Sequence, residues 1–145
     1  MLVEKLETIA DGLGWAFAYG DDAELNMTEF EHQDASTLFE ERKKFLGLDP
    51  VIEDDQLNKY NGTDSTTYSG FVVLMVSSLF NQEEYLVIYK DRIKQLKELT
   101  ETLKTELIGC QELTISRWRK TEVINRYDEN MDGIKIEFTI KIFNR

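Results

Sequence analysis

One cysteine, one proline and one histidine among 145 residues each close off a class of chemistry. A lone thiol, Cys110, rules out an internal disulfide and a thiolate cluster for zinc or an iron–sulfur centre. It reads as a buried, inert side chain. A Ser-His-Asp or Cys-His site would have to use His32, which stands among acids in Glu29-Phe-Glu-His32-Gln-Asp34. None of Ser36, Ser65, Ser77 or Cys110 lies in a nucleophile-elbow or cysteine-protease context. Neither G-x-x-x-x-G-K-[ST] nor G-x-G-x-x-G occurs, so no phosphate cradle is indicated. No stretch reaches the ~18 consecutive apolar residues of a membrane span. The start MLVEKLETIADGLGW has acids where a signal peptide has a basic, then apolar, run, so the expected place of synthesis is a cytoplasm. The expectation is a non-enzymatic chain with no cofactor and no metal.

What is present is acid. The net charge is −11, with 15 acids against 5 bases in residues 1–60 and 13 against 12 in residues 61–145. Binding to nucleic acid needs cations that displace counterions from phosphates, and an acidic first half disfavours it. The same acids serve ordinary solubility, and they could also repel DNA passing nearby. Contents of 41% hydrophobic and 31% charged residues are those of a globular chain, and the length suits one domain over residues 1–145.

Periodicity gives the elements. Leu2, Leu6, Ile9 and Ala10 at helical spacing, stopped by Gly12 and Gly14, predict a short first helix. Trp15, Phe17 and Tyr19 alternate as a strand entering the acidic turn Gly20-Asp21-Asp22, and a second strand fits Glu24 to Phe30. Residues 36–52 mix two periods. Leu38, Phe39, Arg42, Phe45 and Leu46 suit a helix, whereas Leu46, Leu48, Pro50 and Ile52 suit an edge strand, where proline is tolerated. The polar run EDDQLNKYNGTDSTT, residues 53–67, predicts an exposed loop centred on Asn61-Gly62. Tyr68 to Leu79 is apolar on both alternating faces and predicts a central strand. Asn81 three places before Glu84, with Gly109 at the far end, frames a long helix over 82–108 whose stripe is Leu86, Tyr89, Ile93, Leu96, Leu103 and Leu107, interrupted by Thr100. A terminal hairpin follows, with strands 113–124 and 134–143 around a turn at 127–133; Ile134, Ile136, Phe138, Ile140 and Ile142 form its dry face. The fold class is therefore α+β, a mainly antiparallel sheet packed against one long helix and a short N-terminal helix.

Two motifs invite chemistry. Asp128-Glu-Asn130-Met-Asp132-Gly133 reproduces the opening of an EF-hand calcium loop, with three oxygen donors on alternate residues before a turning glycine. Position twelve is Thr139 where a bidentate Glu belongs, and strands flank the loop, so a polar hairpin turn is the plainer reading; a calcium-dependent binding module using Asp128, Asn130 and Asp132 is the alternative. Arg117-Trp118-Arg119-Lys120 is a basic cluster holding an aromatic. On a strand it splits, Arg117 and Arg119 to one face and Trp118 and Lys120 to the other, which fits a wet charged face or a protein interface anchored by Trp and Arg. Carboxylates Glu53, Asp54 and Asp55 lie in a polar stretch with no apolar pocket to raise a pKa.

The order of elements, and in particular Leu113-Thr-Ile-Ser-Arg-Trp118-Arg-Lys-Thr-Glu-Val-Ile124 followed by Tyr127-Asp-Glu-Asn130-Met-Asp-Gly133-Ile-Lys-Ile-Glu137-Phe138-Thr, resembles small tail-completion and tail-terminator proteins of tailed phages and of prophages in gut Bacteroidetes. The resemblance implies a virion subunit made in a bacterial host, copies arranged as a ring, a hexamer in expectation, and contact with other tail or connector proteins. An adaptor or stopper of the same particle is the neighbouring alternative. On this reading Arg117, Trp118, Arg119 and Tyr127 would form an interface. Asp21, Asp22, Glu24, Asp54 and Asp55 would face a lumen and keep exiting DNA from sticking. No specific nucleic-acid site and no membrane contact are expected.

Overall fold

A computed structural model describes residues 1–20, 39, 42–77, 84–110, 112–126 and 131–144. Helix α1, Leu2–Gly12, buries Leu2, Leu6 and Ala10 along one stripe. Gly14, at φ 77, turns the chain out of it, and the Trp15 amide donates back to the Ala10 carbonyl at 2.8 Å. The short strand β1, Ala16–Tyr19, follows and pairs in parallel with β2, Phe45–Leu48. The second predicted strand, 24–30, lies outside the described residues.

β2 corrects one expectation. It is no edge: all four of its residues are buried, with β1 on one side and β4, Thr63–Ser77, on the other. Pro50 sits in the gap between β2 and β3, Ile52–Leu57, where its missing N–H breaks no ladder. Residues 53–67 supply a second correction. Instead of a loop they form a hairpin of β3 and the start of β4, closed by Asn58–Gly62. The Asn58 carboxamide oxygen accepts from the Tyr60 and Gly62 amides at 2.8 and 3.0 Å, and Asn61 takes the left-handed conformation at φ 63.

β4 is central, as its two apolar faces predict, paired with β2 and β3 on one side and with β6, Met131–Phe143, on the other. β6 also pairs with β5, Leu113–Arg126, as the terminal hairpin, so the path runs β1-β2-β4-β6-β5 with β3 beside β4. Among the described residues only the β1–β2 ladder is parallel, and the fold is α+β with a mixed sheet.

The long helix, α2, runs through Tyr85–Ile88, a π-turn at Tyr89–Ile93 and Lys94–Ile108. Residues 82 and 83 of the expected helix lie outside the described set. Its buried residues are Ile88, Arg92, Ile93, Leu96, Thr100, Leu103 and Leu107, and Leu86 is 59% exposed. The π-turn explains the shift. One extra residue per turn moves the inward position ahead of Ile93 back by five, onto Ile88, so an unbroken 3.6 period misplaces everything before it. Thr100 keeps its place in the stripe because its hydroxyl donates to the Lys97 carbonyl at 2.6 Å.

One face of the sheet meets both helices in the main cluster: Leu46, Leu48, Val72, Leu74, Ile134, Ile136, Phe138 and Ile140 pack with Leu2, Leu6, Leu96 and Leu103. Each such side chain contributes about 1.5–3 kcal/mol on burial. Phe45, Val73, Met75 and Met131 form a smaller cluster on the opposite face. Gly133 sits opposite Met75, and a Cβ there would collide with the Leu74 carbonyl oxygen, so this glycine permits the close approach of two strands.

Candidate interaction surface

The β5–β6 register decides what the second face of the sheet presents. Trp118 lies across from Phe138 and Lys120 from Ile136, both on the helix side. Arg117 opposes Thr139, Arg119 opposes Glu137, and Thr121 opposes Lys135 on the other side. Arg117 and Arg119 therefore share a face with Lys135 and Lys141, and Glu137 is the one acid among them. Arg117 pairs with Glu137 at 3.2 Å, and the Lys135 amine lies 4.1 Å from the Phe71 ring centre. Sequence reading split the Arg117–Lys120 cluster between faces correctly; the adjoining lysines of β6 entered only through the pairing. Trp118 does not join the arginines. It is half-buried against the main cluster, and its indole N–H has no hydrogen-bond partner among the described residues.

Across the sheet, β3 presents the opposite charge. All six of its residues are exposed, Glu53, Asp54 and Asp55 among them, with Ile52 70% and Leu57 60% exposed at its ends. Asp55 accepts from the Thr66 hydroxyl at 2.8 Å. Glu53 and Asp55 share the helix side with Tyr68, whose phenol is pushed up by desolvation and then by those carboxylates and Glu4; Asp54 lies opposite Thr67 on the other side. Asp54 and Asp55, as successive strand residues, thus project to opposite faces of the sheet at its exposed edge. Tyr127, Asp21, Asp22 and Glu24 lie outside the described residues, as do His32 and Ser36.

Two further groupings carried no sequence signal. The guanidinium of Arg92, fully buried, donates from Nε to Asp132 at 2.6 Å and from Nη1 to Asp91 at 2.8 Å; Arg42 reaches the same Asp91 oxygen at 3.1 Å. Asp132 is fully buried on β6, so the expected turn position of an EF-hand-like loop is in fact a strand residue committed to an arginine. Asp128 and Asn130 lie outside the described residues, and among those described no three His, Cys, Asp or Glu side chains gather to hold a metal. The second grouping latches α2 to β5. Glu122 accepts from the Lys97 amine at 2.6 Å and from the Tyr85 hydroxyl at 2.7 Å. The Lys97 hydrogen bond holds Glu122 below its usual range against desolvation, the Glu122 bond raises Lys97, and desolvation followed by that bond pushes Tyr85 up to about 12.

Cys110, expected buried, is half-exposed just past α2. Ser65 is buried on β4. A cleft between Trp15 and Arg42-Lys43-Lys44 is lined on its other sides by Leu13, Phe39 and Leu99. No helix among the described residues is long and apolar enough to cross a membrane. Comparison with protein-family models and with curated proteins finds no match for this chain.

Proposed function

We propose that this chain is a structural subunit of a phage virion that joins copies of itself into a ring at the end of the tail tube or at the head–tail junction, as a tail terminator or completion protein. The observation that carries the reading is that strands at opposite sides of one sheet keep an open edge: among the described residues β3 pairs only with β4, and the short β1 only with β2, on one side, and β5 pairs only with β6 on the other. A subunit with two different binding edges adds the next copy head to tail, and such contacts close into a ring when the rotation between copies permits. The sheet is a rigid frame for this work, because helices α1 and α2 fix one face of it through the main cluster. The long helix packed on the sheet thus serves as a brace, and function resides in contact instead of bond-making. Hexameric order and contact with tail-tube or connector proteins complete the reading.

Negative-stain images of the purified chain, alone and mixed with tail-tube protein, test it. Ring-shaped particles that cap the tubes are the expected result. Single chains in both samples, with tubes left uncapped, would reject the assignment.

A further inference from the structure

The edges differ in more than position. β3 offers Glu53 and Asp54, exposed and without a hydrogen-bonded or ionic partner among the described residues, while β5 offers Arg119, exposed and likewise unpaired among them, beside Arg117 and Lys120. We infer that β3 of one copy adds to β5 of the next, so that successive subunits share one continuous sheet; this rests on the ring reading above and names its joint.

The topology fixes the sense of that addition. Three consecutive antiparallel ladders, β3–β4, β4–β6 and β6–β5, leave β3 and β5 running opposite ways. Copies related by rotation about a ring axis keep the sense of their strands along that axis, so the incoming β3 meets β5 antiparallel, the arrangement in which directly opposed side chains come closest. Asp54 and Arg119 both lie on the face away from the helices, as their partners Thr67 and Glu137 show, so the joint brings them to the same side. On the helix side Glu53 and Asp55 approach Lys120, which already holds Glu101 at 2.7 Å. The bulge at Ile115/Arg117 interrupts the start of β5, leaving the run from Arg117 to Val123, one residue longer than β3, as the regular docking edge.

Charge selects this joint over its alternatives. Two β5 edges would set arginines against arginines, and two β3 edges would set carboxylates against carboxylates; like charges opposed across a ladder are unfavourable. Only the mixed pair is attractive, and it is the one that propagates. It also covers Ile52 and Leu57, large apolar side chains left exposed on an otherwise charged edge. Charged edge strands also serve simply to prevent edge-to-edge association, and the two roles predict opposite behaviour when the charges are exchanged.

The experiment uses the full chain and reads mass distribution by sedimentation velocity and mass photometry. Four samples are compared with wild type: Asp54→Arg, Arg119→Glu, the two substitutions together in one chain, and an equimolar mixture of the two single variants. Melting temperatures show that each variant is folded. Each single variant makes both edges more alike in charge and is expected to associate at least about tenfold more weakly. The combined variant restores assembly, and the mixture restores it with even numbers of copies only, because the two chains must alternate. A wild-type chain that stays single at all concentrations overturns the ring and the joint together. Rings that form equally well in both single variants overturn the joint alone. As a second measure independent of charge, Asp54→Cys with Arg119→Cys in a Cys110→Ser background should give intermolecular disulfide ladders on mild oxidation; formation of rings without such ladders counts against β3–β5 contact.

Discussion

The Asp132 carboxylate accepts the Nε–H of a fully buried arginine, and removing it leaves that charge short of its closest counterion. Asp132→Ala is expected to cost about 3–5 kcal/mol in a denaturant melt, the usual loss when one partner of a buried pair is taken away. Arg92→Met with Asp132→Leu, which removes both charges and fills the space, should recover most of that loss; equal damage in both variants would mean the pair acts otherwise than as a pair. Glu122 gives a milder case with a pH signature. Its carboxyl lies below its usual 4.5 in the folded chain, so its contribution is complete above that pH and is lost as pH falls through the folded value. Lys97 and Tyr85 are raised, so theirs is complete below their ordinary values of 10.5 and 10.0 and is lost as pH climbs beyond them. Glu122→Gln should therefore cost about 0.5–1 kcal/mol at neutral pH, a modest figure because the pair is partly exposed, and should flatten the melting-temperature profile below pH 4.5 and above pH 10. A variant profile parallel to wild type through both limbs would remove the latch from the account.

What the sequence made legible at the level of elements follows from whether a local period survives packing. α1, β4 and the alternating isoleucines of β6 repeat cleanly, and each stands where its pattern puts it. α2 was legible as a long helix, running from Tyr85 to Ile108 where 82–108 was expected, but its stripe before Ile93 was not, because a π-turn changes phase without any residue that announces it. β3 was hidden for a different reason. It buries nothing, so it has no apolar alternation to read, and only its turn chemistry at Asn58–Gly62 betrays a hairpin. The basic face was half legible, since the spacing within Arg117–Lys120 fixes its own faces but only the β5–β6 register adds Lys135 and Lys141. A hairpin held by its turn should fray when the turn is weakened. Asn58→Ala removes the acceptor of two backbone amides and should cost about 1–2 kcal/mol. That loss should be local: amide exchange should quicken along Ile52–Leu57 while the β4–β6 ladder stays protected, and uniform acceleration throughout the sheet would show that β3 is not a separate, weakly held element.

For the whole molecule, the net charge of −11 opposes self-association in general, so any assembly must overcome repulsion between copies. Salt tests which force does this. Screening shortens from about 10 Å at 0.1 M to about 3 Å at 1 M, which weakens both the global repulsion and any attraction between exposed edge charges. A ring held mainly by apolar contact would gain from added salt, since repulsion fades and apolar burial does not. One held by Asp54 and Arg119 at an exposed strand joint behaves differently: its contact pairs are screened too, and its rate of encounter, steered by unlike edges, falls steeply with ionic strength. We therefore expect ring assembly of the wild-type chain to slow by about tenfold or more between 0.05 M and 0.5 M sodium chloride, while Arg119→Glu associates faster as salt rises because its edges repel. Stopped-flow light scattering across that range reads both slopes. Opposite signs support a charge-matched joint, and a common upward slope in both chains would mean that copies meet through apolar surface, with the charged edges serving only to keep strands apart.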